Sequence, residues 1–151
     1  MIAVLIFYLR EVEFFPGYVK KPIPHSSMYM TTTEFEELYH AIWVEKPASI
    51  INLYKLPTPG RHSTSLLLTS IGYPASPSTI DELKLAVKDS LSGLQWLHTK
   101  GFVHRDVRWP NITRKADGLF LVIDLELAGK EGEVDPTLSS SWWPALEEQK
   151  F

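Results

Sequence analysis

The chain has 151 residues, a formal net charge of -3, 44% hydrophobic residues and no cysteine. That length and apolar fraction support one buried core and exclude a disordered class. The lack of any basic block argues against a nucleic-acid or anionic-membrane surface, and zero cysteine excludes disulfides and thiolate metal sites while fitting a reducing, cytoplasmic or nuclear compartment.

Met1 to Leu9 is almost wholly apolar. No basic residue precedes this run, no small-residue cleavage pattern follows it, and it is too short to span a bilayer, so no membrane partner is expected. Met1 to Val12 reads instead as a first strand that turns at Pro16-Gly17. Tyr18 to Thr32 shows no periodicity. Thr33 with Glu36 forms a capping-box signature, and Phe35, Leu38, Tyr39 and Ile42 share one face, which predicts a helix from about Glu34 to Trp43. Ser49 to Leu56 reads as a strand, turned by Pro57-Thr58-Pro59-Gly60, with Thr64 to Ile71 as its antiparallel neighbour. Thr79 with Glu82 repeats the capping signature, and Ile80, Leu83, Val87, Leu91 and Leu94 recur at helical spacing through about His98. Gly101 closes that helix, Phe102-Val103 makes a short strand, and Ile112 to Lys115 with Leu119 to Ile123 predicts a hairpin tightened by Asp117-Gly118. The fold class is therefore α+β.

The residues that carry chemistry are His104-Arg105-Asp106-Val107-Arg108-Trp109-Pro110-Asn111 and Asp124. Pro110 forces Trp109 toward an extended conformation, so the turn between Asp106 and Asn111 should be stiff and present both side chains toward one point. A carboxylate beside a neutral carboxamide suits a base next to a hard cation, because the amide oxygen binds Mg²⁺ without adding a second like charge. Asp124 ends the apolar run Leu119 to Ile123, and a carboxylate at the mouth of a buried strand needs a partner or a metal. Taken singly, each residue has an ordinary structural reading: Asp106 as a capped surface carboxylate, Asn111 as a turn former, Asp124 as the partner of a nearby arginine. Glu131-Gly132-Glu133-Val134-Asp135 lacks a calcium-loop pattern, and Ser139-Ser140-Ser141 has no acid and histidine partners that would make a nucleophile.

In this order, His-Arg-Asp-x-x-x-x-Asn followed by an apolar strand ending in Asp resembles the catalytic and metal-binding segments of the protein kinase superfamily. The wording around Asp106 also resembles a divergent set of kinase-like proteins common in fungi. The resemblance implies ATP and Mg²⁺ as cofactors, with Asp106 as the base, Arg108 in place of the more common lysine against the transferred phosphoryl, and Asn111 and Asp124 as metal ligands. Thr69, Ser70, Ile71 and Gly72 would meet the adenine. His104 would brace the loop, and Arg105 would pair with a phosphorylated or acidic activation segment. It further implies a partial kinase-like domain over 1–151: a small-lobe remnant over 1–71, a hinge over 72–78 and the start of the C-lobe, with its first helix and catalytic-loop hairpin, over 79–151.

The sequence departs from the family in two places. Asp124-Leu125-Glu126 stands where Asp-Phe-Gly is usual, so Glu126 replaces a flexible glycine and backbone mobility there should fall. No Gly-x-Gly-x-x-Gly occurs, and no Val-Ala-Ile-Lys-like strand is recognisable before the first helix. Glu36 or Glu37 would match the acid that pairs with that missing lysine, the alternative being a solvated helix face. Trp143-Pro144-Ala145-Leu146-Glu147 holds the letters of Ala-Pro-Glu in the wrong order. The expected protein is thus incomplete at both ends, with apolar surface around Trp96, Trp109 or Trp142-Trp143 open to a partner. The resemblance implies a phosphotransferase acting on a protein Ser or Thr hydroxyl, although this chain alone should bind Mg-ATP feebly and transfer nothing. The alternatives are a catalytically inactive, kinase-derived binding or regulatory fragment and a small-molecule kinase.

Overall fold

The computed structural model describes residues 12–69 and 72–133. Met1 to Glu11, all of the expected first strand but its last residue, lies outside them. The described residues begin with a hairpin of β1 (Glu13–Phe15) and β2 (Tyr18–Pro24). Phe15 faces Tyr18 across Pro16-Gly17, and Gly17 takes φ +86°, which a side chain would resist. No strand over Tyr18–Pro24 was expected from the sequence. Two lysines and two prolines mask it, yet Val19 and Ile23 are buried and alternate with Lys21 between them on the same face.

Helix α1 (Thr32–Glu45) starts two residues before the expected helix, because its capping box is Thr31 with Glu34 and not Thr33 with Glu36. Glu34 N donates to Thr31 Oγ1 at 3.2 Å, and Thr31 N donates to Glu34 Oε2 at 2.8 Å. Phe35, Leu38, Tyr39 and Ile42 are all buried, as their spacing requires. The helix stops at Lys46, left-handed at φ +47°, whose N–H reaches Ile42 O. Two strands follow, β3 (Leu53–Pro59) and β4 (Ser63–Leu68), the first beginning and ending later than expected. The turn accordingly falls at Gly60 to His62, with Gly60 N donating to Ser63 O at 2.8 Å. The antiparallel sheet runs β1-β2-β4-β3. β3 is an outer strand, where Pro57 and Pro59 are tolerated, and its pairing with β4 carries register shifts.

A short strand β5 (Tyr73–Pro74) leads into α2 (Ile80–Thr99). Thr79 caps α2 by accepting from Glu82 N, while the Glu82 carboxylate turns to Ser78 N and Oγ, each at 2.8 Å. The buried residues of α2 are Ala86, Asp89, Ser90, Gly93 and Leu97. The stripe marked by Ile80, Leu83, Val87 and Leu91 faces solvent instead. Gly93 is required for close packing, since a Cβ there would lie 2.7 Å from Ser49 O.

Beyond α2 come β6 (Phe102–Val103), β7 (Ile112–Arg114), β8 (Phe120–Val122) and β9 (Gly129–Lys130). The expected hairpin is β7-β8, with Leu119 N donating to Asp117 Oδ1 at 3.1 Å and Gly118 at φ +90°. It forms a sheet in the order β5-β7-β8, and β6 pairs with β9. Val122 N donates to Ser49 O at 2.9 Å and Ile51 N to Val122 O at 3.1 Å, which stitches the hairpin to the chain between α1 and β3. One apolar core consequently runs from Ile23, Phe35 and Leu38 through Ile50 to Leu97, Phe102, Val122 and Leu125. Among the described residues no helix is long and apolar enough to cross a membrane.

Candidate active site

β6 delivers the chain to His104, which is 1% exposed. Its Nε2 bonds Ile123 O at 2.9 Å, and its Nδ1 accepts the backbone N–H of Asp106 at 3.2 Å. Only the neutral ring, with the proton on Nε2, satisfies both contacts. Burial drives the His104 pKa below its ordinary value, and the Ile123 carbonyl and the nearby carboxylates offset that only partly. Arg105 is left-handed at φ +65°, and its Nη2 donates to the carbonyls of Lys130 and Glu133, each at 3.3 Å. The Glu133 carboxylate lies 3.5 Å away, so Arg105 does meet an acidic residue of the segment after Asp124.

Asp106 and Asn111 are brought together. Asn111 Nδ2 donates to Asp106 O at 2.8 Å and to Asp106 Oδ2 at 2.6 Å, which leaves the amide oxygen as the lone-pair donor. A short 3-10 turn over Trp109–Asn111 sets this geometry, with Asn111 N donating to Arg108 O at 2.9 Å and Asn111 itself 2% exposed. Arg108 Nε sits 3.0 and 3.1 Å from the two Asp106 carboxylate oxygens. Ile123 N donates to Asn111 O at 2.9 Å, so the residue preceding Asp124 is bonded to both His104 and Asn111.

Asp124 is left-handed at φ +64° and opens a 3-10 turn over Leu125–Leu127, with Leu125 a buried anchor. Its partner is a lysine where the ordinary reading assigned an arginine. Lys21 Nζ, from the middle of β2, bonds both Asp124 Oδ1 and Glu126 Oε1. The sequence, lacking a Val-Ala-Ile-Lys-like strand, offered no clear candidate for such a lysine, and Lys21 on β2 is the strand lysine that meets Asp124. Burial disfavours the Lys21 ammonium, but Glu126 and Asp124 outweigh it and hold its pKa above the ordinary value. Burial likewise opposes ionisation of Asp124, and the Lys21 charge reverses that and lowers its pKa. For Glu126 burial raises the pKa, Lys21 works against it, the Asp124 charge adds to it, and the net direction is upward.

Neither acid of α1 singled out for that lysine reaches it. Glu37 pairs with Lys130 at 3.0 Å, and Glu36 is exposed. The signal that would have found Lys21 is the alternation Val19-x-Lys21-x-Ile23, with the lysine at an inward position of a strand.

Of the four residues expected at an adenine hinge, Ser70 and Ile71 lie outside the described residues. Thr69 N donates to Asn52 O at 3.0 Å, and Gly72 crosses β7 so closely that a Cβ would lie 2.5 Å from Thr113 Oγ1. Tyr73 is 67% exposed. The surface depressions along α2 are lined by Ala75, Ile80, Leu83, Val87 and Trp109 among others, and by none of Lys21, Asp106, Asn111 and Asp124. Trp96 donates to Glu45 Oε2 at 2.9 Å, Trp109 is 47% exposed, and Trp142-Trp143 lies outside the described residues. Among the described residues no group of three His, Asp or Glu side chains is arranged to hold a metal ion alone. The Asn111 amide oxygen and the Asp124 carboxylate are hard oxygens, the donor class that Mg²⁺ prefers.

No protein-family model matches the chain. Serine/threonine-protein kinase SKM1 of Saccharomyces cerevisiae is 29% identical over 83 residues, which are 52% of this chain and 13% of that protein. Mitogen-activated protein kinase kinase kinase 1 of Arabidopsis thaliana is 34% identical over 67 residues, 43% of this chain and 11% of that protein. Crinkler effector protein 8 of Phytophthora infestans is 32% identical over 73 residues, 48% of this chain and 12% of that protein. The chain therefore spans only 11% to 13% of the length of these relatives. Together these partial matches make the chain a divergent relative of the protein kinase superfamily.

Proposed function

We propose that the chain carries a kinase-type Mg-ATP site that transfers the terminal phosphoryl of ATP to a Ser or Thr hydroxyl. The observation that carries this reading is the Lys21 ammonium on Asp124, bonded across 103 positions of sequence, together with the bond from Ile123, the residue before Asp124, to Asn111 of the Asp106–Asn111 pair. A lysine, an acid at the end of a strand, and a loop Asp tied to a loop Asn form the polar set that phosphoryl transfer uses. In this reading the sheet β1-β2-β4-β3 with α1 is the small-lobe counterpart, 72–78 the hinge and 79–151 the start of the C-lobe. Thr69, Ser70, Ile71 and Gly72 then offer backbone groups to the adenine.

Asp106 accepts the acceptor proton on a carboxylate oxygen as the hydroxyl oxygen bonds to the terminal phosphorus and the bond to the bridging oxygen of ADP breaks. His104 keeps Asp106 in place through the backbone N–H it accepts. Arg108 offsets charge on the transferring group, and Lys21 orients the phosphates. Asn111 and Asp124 would hold Mg²⁺, which would supply charge neutralisation to those phosphates.

A second reading, a binding or regulatory module without transfer, is favoured by Arg108, whose Nε lies against both Asp106 oxygens. Calorimetry with Mg-ATP, paired with transfer of labelled phosphate to peptides and to small alcohols, separates the two for the wild type, Lys21→Met and Asp106→Asn. Transfer to peptides lost in Asp106→Asn with binding retained supports the first reading. Transfer to small alcohols alone rules out the protein acceptor, and absence of transfer, with or without Mg-ATP binding, overturns the first reading and selects the second.

A further inference from the structure

The place of Glu126 has a consequence for ligand affinity. Its Oε1 and Asp124 Oδ1 both lie on Lys21 Nζ, and the side chains of Lys21 and Glu126 are only 22% and 15% exposed. The backbone delivers this carboxylate. Leu125 is 1% exposed and anchors the 3-10 turn, Ala128 N closes it on Leu125 O at 3.1 Å, and Glu126 O accepts Tyr29 N at 3.5 Å. Glu126 therefore cannot leave Lys21 without rotating its side chain out of a mostly buried pocket or disturbing that turn.

The charges in the cluster also do not balance. One ammonium faces two carboxylates. A phosphate oxygen approaching Lys21 meets an ammonium that is already engaged and an excess of negative charge in a partly desolvated place, where like charges repel more strongly than in water. A glycine at the same position would offer no side chain to compete.

We infer that Glu126 is a resident anion for Lys21: it occupies the ammonium that a phosphate ligand would take and thereby sets the affinity of the site. The inference rests on the nucleotide-site reading above. It assigns Glu126 as an affinity-determining residue, not a catalytic one, and any phosphate ligand binds by displacing it.

The test uses the full chain as wild type, Glu126→Gln, Glu126→Ala, Lys21→Met and the double variant Lys21→Met/Glu126→Gln. Calorimetry with Mg-ATP and with inorganic triphosphate is run beside the rate at which N-hydroxysuccinimide acetate labels Lys21, read by peptide mass spectrometry. The expected result is that both Glu126 variants bind Mg-ATP about tenfold more tightly than the wild type, that the gain vanishes in the double variant, and that Lys21 labels faster once Glu126 is removed. Equal affinities in the wild type and both Glu126 variants overturn the inference and leave the nucleotide reading standing. Unchanged Lys21 labelling overturns it as well, whatever binds. Faster labelling with no binding of either ligand by any variant overturns the nucleotide reading, and with it the role of Glu126 as a competitor.

Discussion

Asp89, buried on α2, accepts the backbone N–H of Phe120 on β8 at 3.0 Å. This N–H lies on the edge of β8 away from β7, short of the Val122 contact with residues 49–51, and the helix carboxylate supplies its acceptor. The contact fastens α2 to the hairpin that begins just after Asn111 and ends just before Ile123 and Asp124. Asp89→Ala leaves the N–H unsatisfied and should cost about 1 to 3 kcal/mol in urea unfolding. Asp89→Asn keeps an acceptor oxygen and should cost less. Equal stability of Asp89→Ala and the wild type would remove this role.

His104 makes stability depend on pH. Burial holds its folded pKa below the ordinary value, near 6.5, that it has in the unfolded chain. Below about 6.5 the unfolded chain takes up a proton that the folded chain refuses, so its contribution is complete above that value and falls as the pH drops toward the folded pKa. Unfolding free energies from pH 7.5 to 5 should decline more steeply for the wild type than for His104→Gln. Parallel curves would refute the assignment.

Gly129 lies against the Arg105 guanidinium so closely that a Cβ would be 2.2 Å from Nη1 and 2.4 Å from Cζ. Gly129→Ala should push that group off the carbonyls of Lys130 and Glu133 and lower stability by about 1 to 3 kcal/mol. In an Arg105→Ala background the same substitution should be nearly neutral. A double-mutant cycle by thermal melting measures the coupling, and additive effects would show that the crowding is relieved elsewhere.

The two faces of α2 should respond in opposite ways. Leu97 is fully buried, and Leu97→Ala should cost about 2 to 5 kcal/mol. Val87 and Leu91 are 48% and 60% exposed, and Val87→Ser or Leu91→Lys should stay within about 0.5 kcal/mol of the wild type. Denaturant midpoints for the three variants decide it; a large loss at Leu91 would mean that the stripe is covered in solution.

The elements that sequence revealed well are those whose signals are local. The β7-β8 hairpin announces itself by Asp117-Gly118 between apolar runs, and α1 by Phe35, Leu38, Tyr39 and Ile42, although two neighbouring Thr/Glu pairs compete for its cap and the earlier one wins. α2 was legible as a helix but not as to which side is buried. Its inner face uses Ala86, Ser90 and Gly93, small residues that let backbones approach, while the larger Ile80 and Leu91 stay outside. Within the site, the Asp106–Asn111 loop was readable because its members are near neighbours. Lys21 was not, because its partners lie in another element and its strand carries Lys20, Pro22 and Pro24, which hide the alternation.

That difference in sequence separation has a consequence for how the site is assembled during folding. His104, Asp106, Asn111 and Ile123 are joined by contacts that close only short loops, so their mutual arrangement incurs little chain-closure entropy. The Lys21–Asp124 contact spans 103 positions and exists only once β2 has docked on β4 and the hairpin has docked on the chain at residues 49–51. Bringing Lys21 to its carboxylates therefore carries a larger chain-closure cost than closing the loop around Asp106. A destabilised sheet would expose two uncompensated carboxylates at Asp124 and Glu126 before the loop around Asp106 comes apart.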